Sequence, residues 1–380
     1  MDITCATPLL GGLSPQAFMR RHWQKKPLLV RQAVPGARPP LSRAGLFALA
    51  ADDEVQSRLV RREGESWSLR HGPFSRRALP ALSQPGWTLL VQAVDQHVDA
   101  AHELLARFRF VPDARLDDLM ISYATDGGGV GPHFDSYDVF LLQVHGRRRW
   151  RIAHRTPKTL RAGLPLKILS QFVPEQEHVL EPGDMLYLPP GWAHDGVALG
   201  ECMTCSIGFR AAGADELGRE LLQRLLDVAQ PPAHDRAYRD PGQAAVAHPG
   251  RVPEGLLEFG ARALERQSTA RSELACVLGE YLSEPRTGVR FEPGGALDRR
   301  SGLRLDRRTR MVYDARRVYI NGEAFVASGA DGRHLRELAD ARVLPARAVR
   351  AMSPAALGIV EEWVQAGWLH RLEGAVPGRP

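Results

Sequence analysis

The tightest constraint on this chain is His133-Phe134-Asp135, which follows the glycine run Asp126-Gly127-Gly128-Gly129-Val130-Gly131-Pro132 and is answered far downstream by His194. Residues i and i+2 of a β-strand share a face, so a strand here sets an imidazole and a carboxylate side by side and turns Phe134 away. For His194 to reach the same point the chain must fold back across short strands. The segment from Glu181 to His194 offers the means: a Pro-Gly-Asp turn, a short apolar strand Met185-Leu186-Tyr187-Leu188 and a Pro-Pro-Gly corner. Two histidines and one carboxylate form a facial triad, the donor set that holds Fe(II) by one face and leaves the opposite positions for a co-substrate and dioxygen. A His-x-Asp alone is commonplace on surface strands and turns. Joined to the glycine run, the turn and the terminal histidine, it points to a non-haem iron oxygenase.

A second charge belongs with the first. Asp138 to Val144 reads as a strand, His145-Gly146 as a turn, and Arg147-Arg148-Arg149-Trp150-Arg151-Ile152 as the next strand. Period-two alternation sets Arg148 with Trp150 and Ile152 on one face and Arg147, Arg149 and Arg151 on the other, as solvated charges. A guanidinium on an apolar inner face needs an anion. That anion is either an internal Asp or Glu, or the distal carboxylate of 2-oxoglutarate, which the planar, always charged fork suits.

His133-x-Asp135, Arg148 and His194 in this order resemble the Jumonji-C branch of the 2-oxoglutarate oxygenases, built on a double-stranded β-helix. The stretches Gly128 to Phe140, Gly146 to Trp150 and His22-Trp23-Gln24-Lys25-Lys26-Pro27-Leu28-Leu29 are similar to the bacterial ribosomal-protein oxygenases, and the layout covers nearly the whole chain. The resemblance implies Fe(II) held by His133, Asp135 and His194, with 2-oxoglutarate and O2 as co-substrates. It implies hydroxylation at the β-carbon of an arginine in large-subunit ribosomal protein L-sixteen, and a homodimer. By position in the motif it adds Ser122, on the strand Leu119 to Tyr123, as a partner of Arg148 in holding 2-oxoglutarate. For an arginine substrate, Asp126, Tyr137 and Asp138 are candidate contacts at the mouth.

The expected fold is a mainly β catalytic domain of cupin type over residues 1–211, with its barrel core about 95–211. A helical dimerisation region over 212–284 and a small winged-helix-like α+β domain over 285–380 follow. Ser14-Pro15 and Ser353-Pro354 mark helix starts, a second helix is expected over Leu41 to Leu49, Trp67 to Arg70 and Trp87 to Gln92 read as strands, and a mixed segment from Leu13 to about Gln92 precedes the barrel. Leu217, Leu221, Leu222, Leu225 and Val228 recur at helical spacing, as do Leu256, Leu257, Phe259 and Leu264, then Leu274, Val277, Leu278 and Tyr281; Pro231 to Pro253 is a breaker-rich connection. In the tail, strands at Leu303 to Leu305, Met311 to Tyr313 and Arg317 to Ile320 lead through Asn321-Gly322 to a helix near Gly332 to Ala341 and a last helix burying Leu357, Val360, Trp363 and Val364.

Composition narrows the remaining classes. No apolar run is long enough to span a bilayer and the N-terminus has no signal-like pattern, so a cytoplasmic, membrane-free protein is expected. Four cysteines in 380 residues are no disulfide framework. Cys202 and Cys205 sit i, i+3 on a strand, facing opposite ways, which argues against a metal or disulfide pair. The formal charge of +6 tolerates acidic partners. With no RNA-recognition sheet, zinc finger or phosphate loop, and with the tail arginines between Arg299 and Arg317 read as a solvated face, direct nucleic-acid binding is disfavoured. Two other readings compete: a metal-dependent cupin enzyme acting on a small molecule, for which a third or fourth histidine ligand is more usual, and a DNA-binding regulator with a vestigial barrel.

Overall fold

The computed structural model describes residues 2–228, 237–239, 252–266 and 271–372, and within it the chain divides into two compact units. The first comprises residues 1–211 with 287–291, the second residues 212–286 with 292–380.

The first unit opens with α1 (Pro15–Arg21), whose first turn is closed by the Ser14 hydroxyl accepting from Ala17 N, then β1 (Leu28–Val30) and α2 (Arg43–Leu49), capped in the same way by Ser42. Next come β2 (Ser57–Glu63), β3 (Ser66–His71), β4 (Trp87–Val91), α3 (Asp99–Ala106) and β5 (Leu116–Ala124). The two-residue β6 (His133–Phe134) leads to β7 (Val139–Ala153), β8 (Gln176–Leu180), β9 (Met185–Leu188) and β10 (Ala193–Phe209). One 10-stranded sheet takes them all, in the order β1-β9-β7-β10-β5-β4-β2-β3, with β6 on β10 and β8 on β7. Every pairing is antiparallel. The boundary expected near Gln92 therefore falls inside a continuous sheet: β2, β3 and β4 extend it, because β4 pairs with β5 at Leu90↔Ser122.

The two long strands β7 and β10 carry the architecture. The first half of β7 pairs with β9 and its second half with β8, while β10 runs beside it throughout. Val139 and Leu141 from one half share an apolar cluster with Trp150 and Ile152 from the other, together with Leu180, Leu186 and Leu188. One face of the rolled sheet thus encloses an interior. The opposite face, with Leu119, Ile121, Tyr123, Phe140, Leu142, Cys205 and Ile207, packs against Phe18, Leu46, Phe47, Ala101 and Leu105 of the helices. The turn expected at His145-Gly146 is absent: β7 passes straight through these residues, and Gly146 takes a left-handed φ of +61° as a bulge within the strand.

In the second unit α4 (Ala214–Val228), α5 (Glu254–Arg266) and α6 (Arg271–Ser283) are the expected helices. The connection Pro231 to Pro253 lies outside the described residues over all but short pieces, as do the side chains of Val228 and Leu264. Two small sheets follow, β15-β11-β16 and β12-β13-β14, built from β11 (Leu303–Leu305), β12 (Met311–Tyr313), β13 (Arg317–Ile320), β14 (Glu323–Val326), β15 (Val343–Leu344) and β16 (Leu369–Arg371). Helices α7 (Gly329–Ala341), α8 (Ala346–Ala351) and α9 (Pro354–Gln365) complete a core around Leu338, Val349, Val360 and Trp363. Among the described residues no helix is long and apolar enough to cross a membrane, and Cys5, Cys202, Cys205 and Cys276 are all free.

Candidate metal and co-substrate site

The glycine run before the two-residue β6 lies close on the sheet. A Cβ on Gly129 would stand 2.5 Å from the Gly196 carbonyl oxygen of β10, so only glycine lets the loop approach there. Once docked, β6 pairs with β10 at Ala193↔Phe134 and His194↔His133, which sets the two imidazoles directly opposite each other. Their ring centroids are 4.2 Å apart. Phe134 faces away under Lys158, whose Nζ lies 5.0 Å from the ring centre. Just past β6, Asp135 is fixed by Gly191 N donating to its carbonyl oxygen at 2.8 Å, and its Oδ2 comes within 3.6 Å of His194 Nε2. Ligand atoms of His133, Asp135 and His194 all lie within 4.8 Å of one another.

Both histidines are oriented by the same local bond. His133 Nδ1 pairs with the Gly131 carbonyl at 2.9 Å and His194 Nδ1 with the Trp192 carbonyl at 3.0 Å, each two residues back. A carbonyl only accepts, so each Nδ1 carries the proton and each Nε2 keeps its lone pair. Burial, reinforced by the neighbouring His133, pushes His194 down to about 4, holding it neutral in the form a metal ion requires. This oriented donor set fits Fe(II).

Arg148 is 5% exposed, and its guanidinium carbon lies 5.7 Å from the centre of the Trp150 ring, whose other neighbour is His194 at 5.8 Å. Trp150 therefore links the arginine to the triad. Nη1 donates to Ser122 Oγ at 3.4 Å, while Nε and Nη2 have no partner. Among the described residues no carboxylate stands within ion-pair distance of Arg148, so the internal Asp or Glu partner that the sequence left open is not there. A buried guanidinium with two free donor groups is costly unless an anion joins it, and a dicarboxylate reaching from the triad meets that need. Arg147 and Arg149 lie on the outer face, and Arg151 pairs with Asp195.

The substrate-contact candidates separate. Asp138 is fully buried, accepting from the Tyr187 hydroxyl at 2.5 Å and Gln24 Nε2 at 3.0 Å, with Arg115 at 3.6 Å. It is a structural carboxylate and is withdrawn as a mouth residue. Asp126 is exposed and caps Gly200 N at 2.7 Å. Tyr137 is 39% exposed, and burial together with Asp135 raises its phenol pKa. Two buried polar residues went unnoticed in the sequence: Thr204 and Gln143, both fully buried and joined by Thr204 Oγ1 donating to Gln143 Oε1 at 2.8 Å. A lone amide within the apolar run Val139 to Val144 was the available signal.

Residues 103–217 match the family model of the JmjC domain, and residues 265–370 that of the ROXA-like winged helix. The chain is 37% identical to the ribosomal protein uL16 3-hydroxylase of Escherichia coli over 80% of its own length and 84% of that protein's. It is 34% identical to a probable ribosomal oxygenase of Haemophilus influenzae over 52% and 50%. The crystal structure of E. coli YcfD superimposes with a TM-score of 0.82 at 31% identity, covering 94% of this chain and 98% of that one. A structure of the same ribosomal oxygenase with cobalt and 2-oxoglutarate gives 0.80 at 32%, over 95% and 99%.

Proposed function

The chain belongs to the JmjC ribosomal oxygenases, and on that footing we propose that it is an Fe(II)- and 2-oxoglutarate-dependent hydroxylase acting on the β-carbon of an arginine in the large-subunit ribosomal protein uL16. The observation that carries this reading is the unpaired, buried Arg148 guanidinium beside an oriented His-Asp-His cluster. A cupin enzyme acting on a small molecule would have no use for that charge, and a vestigial barrel would have no reason to keep either feature.

In this reading His133 Nε2, Asp135 and His194 Nε2 hold the metal, and Arg148 with Ser122 holds the distal carboxylate of 2-oxoglutarate. Bound iron supplies the activation of dioxygen that couples oxidative decarboxylation of 2-oxoglutarate, to succinate and CO2, with hydroxylation of a C–H bond. The protein's share is placement and exclusion of water: Trp150, Ile152, Leu180 and Leu188 keep the interior apolar, and the carbonyls of Gly131 and Trp192 keep both imidazoles in one tautomer. A ribosomal-protein substrate places this work in the cytoplasm. Direct nucleic-acid binding is no part of it: α9 presents Pro354, Ala355, Gly358, Glu362 and Gln365 to solvent, a face with one side chain suited to a base edge. A homodimer through residues 212–284 is supported by Leu222 and Leu226 of α4, each 64% exposed, and Leu257 of α5, 55% exposed.

Purified protein given Fe(II), 2-oxoglutarate and uL16 should add one oxygen atom to a single arginine of uL16, with matching succinate. Asp135→Ala should do neither. Unmodified uL16 in the presence of active 2-oxoglutarate turnover would remove uL16 as the substrate, and absence of turnover would remove the oxygenase.

A further inference from the structure

The alternation of β7 reverses once, and the reversal decides which arginine enters the interior. Val139 and Leu141 face inward, with Gln143 next in line, whereas after the bulge Arg148, Trp150 and Ile152 face inward. Between the paired rows Gln143↔Thr204 and Ala198↔Arg148, β7 advances five steps and β10 six. An odd number of steps exchanges the faces of β7, while an even number leaves those of β10 unchanged. The exchange is made between Gln143 and His145, where two steps of β7 face the single step from Thr204 to Met203, and Gly146 follows at once with φ +61°, where an added Cβ would stand 2.0 Å from the Glu201 carbonyl oxygen. Without it Arg147 and Arg149 would turn inward and Arg148 would face solvent.

Gln143 grips this step from inside. Its Nε2 donates to the His145 carbonyl at 2.7 Å and to the Gly146 carbonyl at 3.3 Å. Its Oε1 accepts from Thr204 Oγ1 at 2.8 Å. The chain continues across the sheet: Ser122 Oγ donates to the Thr204 carbonyl at 3.4 Å and receives Arg148 Nη1 at 3.4 Å. The amide supplies both the donors that the bulge carbonyls need and the acceptor that the threonine needs.

We propose that Gln143 is the positioning residue of the co-substrate pocket: its amide pins the face-reversing bulge and, through Thr204 and Ser122, the Arg148 guanidinium, so that Nε and Nη2 stay free for a carboxylate. The proposal deepens the reading of Arg148 as the 2-oxoglutarate anchor and rests on it. Gln143→Met keeps the length of the side chain and removes both functions; Gln143→Glu keeps the acceptor and removes the amide donor.

Two measurements test it. Anaerobic titration of 2-oxoglutarate into Mn(II)-loaded protein should show both variants weakened by about tenfold or more, the scale of one or two lost buried hydrogen bonds, with Mn(II) affinity held within about twofold. At saturating 2-oxoglutarate, turnover should recover to within about threefold of wild type, a change in KM rather than in kcat. Hydrogen exchange on metal-free protein should quicken at the amides of His145 to Arg147 in Gln143→Met and stay unchanged at β8. A folded Gln143→Met or Gln143→Glu protein that binds 2-oxoglutarate as wild type does would overturn the proposal. So would failure of both to fold while Thr204→Val folds and binds normally, since the amide would then serve folding alone. If wild-type protein binds Mn(II) but no 2-oxoglutarate, the anchor reading falls first and takes the proposal with it.

Discussion

At the scale of the residue, the site depends on side chains that keep a free valence because their other atoms are occupied. Arg148 offers Nε and Nη2 to a ligand, with Nη1 engaged by Ser122. Arg148→Ala should therefore raise the KM for 2-oxoglutarate at least about tenfold and leave metal binding near wild type, while Arg147→Ala and Arg149→Ala should stay within about twofold. Steady-state succinate release measures all three, and equal sensitivity would make Arg148 an ordinary ion-pair residue. Much of this was legible in the chain. His133 and Asp135 are paired by their i, i+2 spacing at β6 and its end, and Arg148 is grouped with Trp150 and Ile152 by alternation in the second half of β7, patterns that a sequence displays directly. Gln143 and Thr204 are placed by registry between strands, and nothing in either segment announces which residue will lie opposite.

Among the elements, helix starts were legible and the smallest strands only in part. Ser14, Ser42 and Ser353 each accept from a backbone N–H three residues on, a local bond that local sequence specifies, and Asn321-Gly322 turns the β13–β14 hairpin with both residues at positive φ. β14, β15 and β16 escape the sequence pattern while the equally short β11, β12 and β13 do not, since strands of two to four residues carry too little periodicity to be told apart from loop consistently, and β7 reads as broken at Gly146 because a bulge glycine reads like a turn glycine. β11 and β16 are tied by Asp306, whose carboxylate accepts from Arg308 and, at 2.9 Å, pairs with His370. Burial works to raise its pKa, but those partners prevail and bring it down to about 2. A carboxylate lowered on folding adds stability above its unfolded pKa, near 4, and loses it as the pH falls toward 2, here about 2 kcal/mol. Asp306→Asn should cost that much in the unfolding transition of the second unit at pH 7. The deficit against wild type should vanish by about pH 2, and one independent of pH would mean that Asp306 acts by shape alone.

For the molecule as a whole, the leucines left bare on α4 and α5 carry the proposed dimer face. Leu222→Arg places a charge in the proposed dimer face and should yield monomer at micromolar concentration by light scattering, with the first unit still able to bind metal; a wild-type monomer would end the dimer reading. The chain-level layout was legible through composition and periodicity, but the joining of residues 57–91 to the catalytic sheet was not, because that depends on the long-range match of β4 with β5. The two paired residues of β6 carry a last consequence. His133 is anchored to β10 by only two register pairs, at the end of a loop rich in glycine whose backbone is otherwise held by single bonds such as Ala198 N to the Gly128 carbonyl, Leu169 N to the Pro132 carbonyl and Gly191 N to the Asp135 carbonyl, and whatever His133 and His194 grasp together adds to these. An ion bound by both acts as a removable cross-link closing the loop 126–138, and its loss returns conformational freedom to that segment. Chelation should therefore open a protease-sensitive site between Asp126 and Asp138 while the rest of the sheet resists digestion, and added metal should close it again. Equal cleavage with and without metal would mean that the loop is held by its own backbone.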